Sequence, residues 1–264
     1  MDAPVVILDR PAPHVTRLRI NRPDKRNAID LAVREQFIDL LDQSLADPEV
    51  RALVFGGVAG VFSAGGDVSS MEGLTEDQAR ERMRHIHVLC RKVADARLPV
   101  VSAMEGVTAG AAVGLALLGD RIVMGRQARV LFPFMKLGLA PDWGLLMTLP
   151  RRVGLPVAQR MFCDGQPVSA DEALRVGLAD VVCEDAEVMD TAVRVAASLA
   201  ALPAQAYARM KQRLVHPSAT LAEELVREEN DQAACLLTDD FREGFDAFRN
   251  KRSADFIHRP GVRQ

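Results

Sequence analysis

The sequence lacks the features expected of a secreted or nucleic-acid-binding protein. It has four cysteines in 264 residues and no Cys-x-x-Cys pair, which argues against a disulfide framework and favours reduced thiols in the cytoplasm. Its net charge is −3, so it lacks the basic field of a nucleic-acid-binding protein. The N-terminal segment has no basic stretch followed by an apolar core, so we expect no signal peptide. These absences predict a cytoplasmic protein without a nucleic-acid partner.

A membrane span is not expected either. The most apolar stretch covers residues 98–118, and glycines recur within it at the four-residue spacing of membrane helix pairs. Pro99 and Glu105 interrupt that stretch, and the residues before Gly106 are typical of a strand. We therefore predict a buried strand, a glycine turn and a buried helix here.

Motifs for metal and dinucleotide binding are also missing. The sequence has no His-Glu-x-x-His and no Gly-x-Gly-x-x-Gly between a strand and a helix. His85 and His87 lie on a predicted helix, where residues two apart point to different faces and cannot chelate one metal ion. We therefore expect no metal site and no nicotinamide oxidoreductase.

The apolar pattern that is present predicts an α/β fold. Residues 5–8 and 15–20 are typical of a strand hairpin, residues 29–46 of a helix, and residues 50–57 of a strand that joins the sheet through a crossover. From residue 156 onward the pattern is mainly helical, and only residues 178–183 indicate another strand. The amphipathic helices of this last third are suited to packing on the core or on another subunit.

Two turns rich in small residues each lead from a strand towards a helix. In the first, Gly65 and Gly66 precede Asp67; they either form a plain tight turn capped by Asp67 or expose the amide of Gly66 to a ligand oxygen. In the second, a helix starting near Gly110 would present unpaired N–H groups. Together the turns could direct two N–H groups at one oxygen, as an oxyanion hole does.

Two further features have alternative interpretations. The polar loop at residues 21–28 carries a basic cluster, which is either a solvated loop or a site for a phosphorylated ligand. Asp142 precedes a predicted helix at residues 145–149 that we expect to end at residues 150–152. Its carboxylate either interacts with the helix dipole or takes part in chemistry.

With these motifs in order, the sequence resembles the crotonase (enoyl-CoA hydratase/isomerase) superfamily. The motifs that carry the resemblance are Asn21-Arg22-Pro23, Asn27-Ala28, Phe62-Ser63-Ala64-Gly65-Gly66-Asp67, Gly106, Ala109-Gly110-Ala111, Asp120, Pro133, Leu137-Gly138-Leu139 with Pro141, Gly165, Ser169-Ala170, Ala173, Gly177-Leu178, Phe248 and Lys251-Arg252. The resemblance implies a spiral of ββα units over residues 1–200 and a C-terminal helical region over residues 201–264. It also implies a homotrimer or a dimer of trimers.

The resemblance assigns roles to particular residues. It implies that the amides of Gly66 and Ala111 form the oxyanion hole, and that the substrate is an acyl-CoA, so that coenzyme A is part of the substrate and not a separate cofactor. The residues it places near coenzyme A are Lys25, Arg26 and Ala28 at the nucleotide end, the backbone of Ala64 and Asp67 near adenine, and Lys251 at a phosphate, from the same or a neighbouring subunit.

The sequence departs from the family at two positions. A typical hydratase of this family has glutamates where this chain has Gly114 and Phe134, and neither of these residues can move a proton. Asp142 instead occupies a position in which similar isomerases carry a carboxylate. One base is enough for a 1,3 shift of a double bond, and the apolar residues Phe132, Phe134, Leu139 and Trp143 would raise the basicity of Asp142.

We therefore predict an enoyl-CoA isomerase that uses Asp142 as its single acid/base. One alternative is a hydratase or another crotonase reaction, such as ring isomerisation or hydrolysis, that uses Asp142 or an acid such as Glu105. Another is a catalytically silent acyl-CoA-binding protein. The acyl chain is not predicted.

Overall fold

A computed structural model describes residues 3–257. The strands are β1 (Val6–Ala12), β2 (Val15–Ile20), β3 (Ala52–Gly57), β4 (Val100–Met104), β5 (Val107–Ala109), β6 (Arg121–Gly125), β7 (Arg129–Leu131), β8 (Val168–Ser169) and β9 (Val181–Cys183). The helices are α1 (Leu31–Ala46), α2 (Glu76–Ala94), α3 (Ala111–Leu117), α4 (Leu145–Val153), α5 (Leu155–Asp164), α6 (Ala170–Arg175), α7 (Val188–Ala200), α8 (Ala204–Val215), α9 (Leu221–Leu236) and α10 (Asp239–Arg249). Among residues 3–257, no helix has the length and hydropathy to cross a membrane.

Two sheets form the α/β core. The larger has six strands in the order β1-β2-β3-β4-β6-β9, and the smaller has three in the order β5-β7-β8. The predicted hairpin of β1 and β2 is confirmed, and β3 lies parallel to β2 as expected after the intervening helix α1. In both sheets, the parallel strands place their carboxyl ends at one edge.

Successive residues of each strand pack into different layers because side chains alternate across a sheet. Leu53 and Phe55 of β3 belong to the larger core cluster, which also includes residues of α1, α2 and α3. Val54 belongs to a second cluster with Ala192 and Ala196 of α7. The six-stranded sheet is thus covered by helices on both faces.

Short elements were predicted less well than long ones. The small sheet was not foreseen, because strands of two or three residues are too short to show a period of two. The prediction that only residues 178–183 form a strand after residue 156 was wrong, since β8 is also present. Helix α4 runs through Pro150 and ends at Val153, one residue later than predicted, because a proline removes only one helical hydrogen bond.

The C-terminal segment is held to the core by a buried ion pair. From residue 201 to residue 257 the only strands or α-helices are α8, α9 and α10. Lys211 of α8 is 2% exposed and donates to Asp120 Oδ2 at 2.8 Å and to the carbonyl of Leu98 at 2.9 Å. The division at residue 200 stays a prediction, and its end, residues 258–264, lies outside the described residues.

Candidate active site

The two turns predicted to form an oxyanion hole lie side by side. Ser63 runs alongside β5: its N–H donates to Val107 O at 3.2 Å, and its carbonyl accepts from Ala109 N at 3.1 Å. This pairing brings the Gly65-Gly66 turn next to the start of α3. A Cβ built on Gly66 would lie 3.9 Å from the Cβ of Ala111.

Glycine is required in the first turn by both conformation and space. Gly65 has a φ of +97°, in the region that side chains disfavour. A Cβ on Gly65 would lie 2.5 Å from the carbonyl oxygen of Ala109 and 3.6 Å from the amide nitrogen of Ala111. The absence of a side chain therefore lets the two turns touch.

Two amides at this junction remain unused. The neighbouring amides of Gly65, Asp67 and Gly110 donate to Ser63 Oγ at 3.1 Å, Ile29 O at 3.1 Å and Leu131 O at 3.0 Å. The amides of Gly66 and Ala111 donate to no other group among residues 3–257. Ala111 is the first residue of α3, where a helix has no internal acceptor for its N–H groups. Both N–H groups are thus available to a ligand oxygen, as an oxyanion hole requires.

A cavity of about 740 Å³ lies beside these amides. Its size is in the range of small-molecule sites. Its lining is mostly apolar and includes Met71, Leu74, Met83, Phe134, Leu137, Leu139, Trp143, Leu146 and Met147. Among the described residues that line it, Asp142 is the only carboxylate and Arg82 the only arginine.

One oxygen of the Asp142 carboxylate is buried at the cavity without a hydrogen-bond partner among the described residues. Its Oδ1 atom is inaccessible to solvent and accepts no hydrogen bond from any described residue. The helix that follows begins at Leu145 with Gly144 as its N-cap, so Asp142 lies before the first turn. Asp142 thus precedes the helix, as predicted, and is not one of its first-turn residues.

The environment of Asp142 makes its carboxyl a weaker acid than an exposed aspartate. Burial raises the pKa of the Asp142 carboxyl above its ordinary value, while the positive charge of Arg82, the residue's own amide and His87 act in the opposite direction. Nearby, burial and then the charge of Asp142 raise the pKa of the Cys90 thiol to about 12. The Cys90 thiol is thus protonated at neutral pH and unsuited to act as a nucleophile.

The two positions of the missing glutamates lie at the site. Gly114 is on α3, where a Cβ would lie 2.3 Å from the Cβ of Trp143. Phe134 lines the cavity and is 5% exposed. Trp143 fills the space that a side chain at position 114 would need. Among the described lining residues, no carboxylate besides Asp142 takes the place of these glutamates. Glu105 does not line the cavity.

Three of the four apolar residues expected around Asp142 do line the cavity with it: Phe134, Leu139 and Trp143. Phe132 does not line it. Its ring instead packs edge to face against Phe162, with ring centroids 5.5 Å apart. The apolar environment of Asp142 was thus predicted correctly except for Phe132.

The basic loop is fixed against the first glycine turn. Arg26 and Asn27 have positive φ values, and Arg26 O accepts from Ala64 N at 2.9 Å. Lys25 and Arg26 are exposed and Ala28 is half-buried. This placement suits a phosphate-binding role, which stays a prediction.

Two other residues assigned to coenzyme A, Asp67 and Lys251, lie in different parts of the chain. The carboxylate of Asp67 accepts from Ser69 Oγ at 2.6 Å and does not cap the short 3₁₀ helix that follows. Its backbone N–H and carbonyl are both used within the protein, by Ile29 and Ser70. Lys251 is exposed and lies two residues after the end of α10. Their contacts with coenzyme A also stay predictions.

Sequence reasoning missed two polar residues that face the cavity. Arg82 and His87 both lie on α2 and line the cavity. The signal for Arg82 was its position one turn before Ile86 in the apolar stripe that continues to Leu89 and Val93. It was overlooked because the helix carries several other arginines.

Comparison with known proteins identifies the family of this chain. A family model described as "Enoyl-CoA hydratase/isomerase" matches residues 12–259. The chain belongs to this family, within the crotonase superfamily. It is 33% identical to the 1,2-epoxyphenylacetyl-CoA isomerase of Escherichia coli K12 over 247 residues, covering 92% of this chain and 94% of the relative.

Other members of the family carry different activity names. The trans-2-decenoyl-[acyl-carrier-protein] isomerase of Streptococcus mutans is 30% identical to this chain, with 92% of this chain and 94% of the relative covered. The crystal structure of an enoyl-CoA hydratase from Polaromonas sp. JS666 matches with a TM-score of 0.90 at 26% identity, covering 95% of this chain and 98% of that one. These likenesses confirm the predicted crotonase fold. The relatives include proteins named isomerases and a protein named a hydratase.

Proposed function

We propose that the protein isomerises a 3-enoyl-CoA to a 2-enoyl-CoA through a thioester enolate. The observation that carries the proposal is the Asp142 carboxylate, whose Oδ1 is buried without a partner in a cavity beside two free amides. A buried carboxylate with a raised pKa is a stronger base than an exposed one. Asp142 is thus suited to remove a proton from carbon.

Each step follows from these groups. The thioester oxygen accepts hydrogen bonds from the amides of Gly66 and Ala111, which makes the α proton more acidic. Asp142 takes that proton, and the electron pair moves to the thioester oxygen as the enolate forms. The protonated Asp142 then gives the proton to the γ carbon, and the double bond moves into conjugation with the thioester. One carboxylate serves both steps, so the reaction needs no separate cofactor.

A hydratase reaction is less well supported, although relatives with that name exist. Water addition to a 2-enoyl thioester needs a group that activates water and a positioned proton source for the α carbon. Gly114 and Phe134 supply neither, and Trp143 occupies the space beside Gly114. Two of the relatives named above are isomerases, which is consistent with an isomerase here.

Replacement of Asp142 tests the proposal. Asp142→Asn keeps the shape of the side chain and removes the base, so we expect at least about a 10³-fold loss of 3-enoyl-CoA isomerisation, the range typical of a lost acid/base. The matched controls are Glu105→Gln, a half-buried acid outside the cavity, and Asp171→Asn, an exposed acid on α6. Both should retain wild-type turnover.

The products decide between the reactions. Formation of a 3-hydroxyacyl-CoA from a 2-enoyl-CoA would show a hydratase and contradict the isomerase proposal. Full activity of Asp142→Asn would exclude Asp142 as the base, and loss of activity in Glu105→Gln would favour the other acid. Tight acyl-CoA binding without turnover of any enoyl-CoA would favour the catalytically silent alternative.

We also propose that the protein forms a homotrimer or a dimer of trimers in the cytoplasm. Helices α8, α9 and α10 and the residue after α9 expose large apolar side chains, among them Leu214, Leu221, Leu237 and Phe248, which are 70 to 83% exposed. Such surfaces are typical of protein interfaces. The mass in solution, measured by light scattering, tests the assembly: a monomer at micromolar concentration would contradict it.

A further inference from the structure

Arg82 projects from α2 towards the reacting end of the cavity. Its Nη2 atom would lie 3.5 Å from a Cβ built on Gly66, whose amide belongs to the predicted oxyanion hole. Its charge also acts on Asp142 across the cavity. The guanidinium therefore lies near the Gly66 turn and acts on Asp142, the two groups to which we assign the chemistry.

Among the described residues, Arg82 forms no direct ion pair, although its charge acts on Asp142. Its Nε atom is buried and has no hydrogen-bond acceptor among residues 3–257. Its charge also acts on Arg34 of the neighbouring α1 region: burial and then Arg82 lower the pKa of the Arg34 guanidinium, while Asp30 and Glu35 raise it. Arg34 in turn contacts His85 Nδ1 through its Nε at 3.3 Å. Arg82 thus lines the cavity without a directly bonded anion from the described residues.

We infer that Arg82 binds a carboxylate carried on the acyl chain of the substrate. The inference rests on the acyl-CoA ligand of the proposed function and narrows it to acyl groups with a second, free carboxyl group. A guanidinium presents a planar set of donors that matches a carboxylate, with two parallel hydrogen bonds. A carboxylate would therefore give Nε an acceptor and pair with one Nη atom at the same time.

An uncharged acyl chain would not explain this arginine. Such a chain would cover the guanidinium with carbon and leave its charge buried and unpaired, which weakens binding. If Arg82 interacted only with the enolate oxygen, it would face an anion only transiently, after the proton has been removed. If Arg82 interacted only with Asp142, the Nε atom of Arg82 would still have no acceptor, since Oδ1 of Asp142 is itself without a partner. A carboxylate on the ligand supplies an anion already when the substrate binds.

Binding of saturated acyl-CoAs tests the inference independently of turnover, because these probes cannot be isomerised. The dissociation constants of succinyl-, adipyl- and suberyl-CoA are compared by calorimetry with those of the uncharged chains of equal length, butyryl-, hexanoyl- and octanoyl-CoA. We expect the wild-type protein to bind at least one carboxylated member about 10- to 100-fold more tightly than its uncharged counterpart. Equal affinity within all three pairs would overturn the inference, whatever the protein catalyses.

Variants at two neighbouring arginines identify the residue responsible. Arg82→Met keeps the length and apolar volume of the side chain and should abolish the preference, while Arg82→Lys should keep part of it. The matched control is Arg84→Met, because Arg84 is exposed on the same helix and pairs only with Glu81. Equal weakening of both members of a pair in Arg82→Met would contradict carboxylate recognition and assign Arg82 to the thioester end. Retention of the preference in Arg82→Met would also overturn the inference. Circular dichroism confirms that each variant is folded.

Discussion

Gly114 on α3 and Trp143 before α4 fit so closely that a Cβ on Gly114 would lie 2.3 Å from the Cβ of Trp143 and 3.1 Å from its carbonyl oxygen. Trp143 is 2% exposed and has a φ of +53°, a conformation that a bulky residue adopts only when its surroundings hold it there. Asp142 is the preceding residue, so this contact fixes its backbone. The missing glutamate at position 114 and the placement of Asp142 are thus parts of one packing arrangement.

The first prediction is that Gly114→Ala disables the enzyme without touching a reacting group. The added methyl group must displace the Trp143 backbone and with it Asp142. A displacement on the order of 1 Å can cost about 10²-fold in rate, and we expect that loss in kcat for 3-enoyl-CoA isomerisation. Steady-state kinetics and the melting temperature provide the measurements.

A second glycine substitution serves as its control. Gly244 lies within α10, where an added Cβ would only make ordinary contact with Phe256 at 3.7 Å. Gly244→Ala should therefore stabilise the protein by about 0.5–1 kcal/mol and leave kcat unchanged. Wild-type kcat in Gly114→Ala would show that the contact does not position Asp142.

The second prediction concerns the contact between the two glycine turns. Gly65→Ala places a methyl group 2.5 Å from Ala109 O and must separate the amides of Gly66 and Ala111. Loss of one oxyanion donor typically costs about 10²–10³-fold, and we expect a fall of that size in kcat. Gly60→Ala is the control, because Gly60 also has a positive φ, of +67°, but has open space around it. It should lose some stability and no activity; equal kinetic losses in both variants would argue against the hole.

The third prediction is that Asp142 lowers stability while it supports activity. Burial raises the pKa of Asp142 in the folded protein above that in the unfolded chain. At pH values between these two pKa values, the folded protein keeps a proton that the unfolded chain has released. The free energy of unfolding therefore falls as the pH rises through that interval. At pH 7 we expect Asp142→Asn to raise the melting temperature by roughly 2–4 °C, for a gain of about 1 kcal/mol.

The same titration should appear in the kinetics. The base form of Asp142 is needed to remove the α proton, so kcat/KM should rise with pH through a pKa above the ordinary aspartate value of 3.8. Arg82→Met removes a charge that lowers this pKa, so its profile should shift to higher pH. A profile that is flat from pH 4 to 8 in the wild type, or an Asp142→Asn variant less stable than wild type at pH 7, would contradict this assignment.

The sequence predicts the features that depend on local pattern. The glycine turns, the long strands and helices and the position of Asp142 can all be identified from residue types and their order. The contact of Gly114 with Trp143 cannot, because it joins segments far apart in the chain and depends on the exact approach of two backbones. Arg82 was missed for a related reason: several arginines on one helix are equivalent in sequence until the fold shows which one faces the cavity.

The fourth prediction is that Lys211 contributes to stability and not to catalysis. The Lys211 side chain is 2% exposed and pairs with Asp120, which is 20% exposed. Lys211→Met leaves that carboxylate without its cation and should cost about 3–5 kcal/mol, measured by urea unfolding. Lys92→Met is the matched control, since Lys92 pairs with Asp42 at the surface and should cost less than about 1 kcal/mol. A similar small cost for both would show that the buried pair does not hold α8 to the core.

The fifth prediction concerns recognition of coenzyme A by the basic loop. If Lys25 and Arg26 contact its phosphates, Lys25→Gln and Arg26→Gln should each raise the KM for an enoyl-CoA about two- to fivefold, as expected for exposed charge pairs, and leave kcat unchanged. The effect should shrink at high salt, because exposed charges are screened. An enoyl-pantetheine thioester keeps the reacting end and lacks the nucleotide, so its KM should be the same in the wild type and in both variants. Arg175→Gln, which removes an exposed charge on α6, should leave both KM values unchanged. A KM that rises equally for both thioesters would contradict a contact with the nucleotide, because only the coenzyme A substrate carries those phosphates.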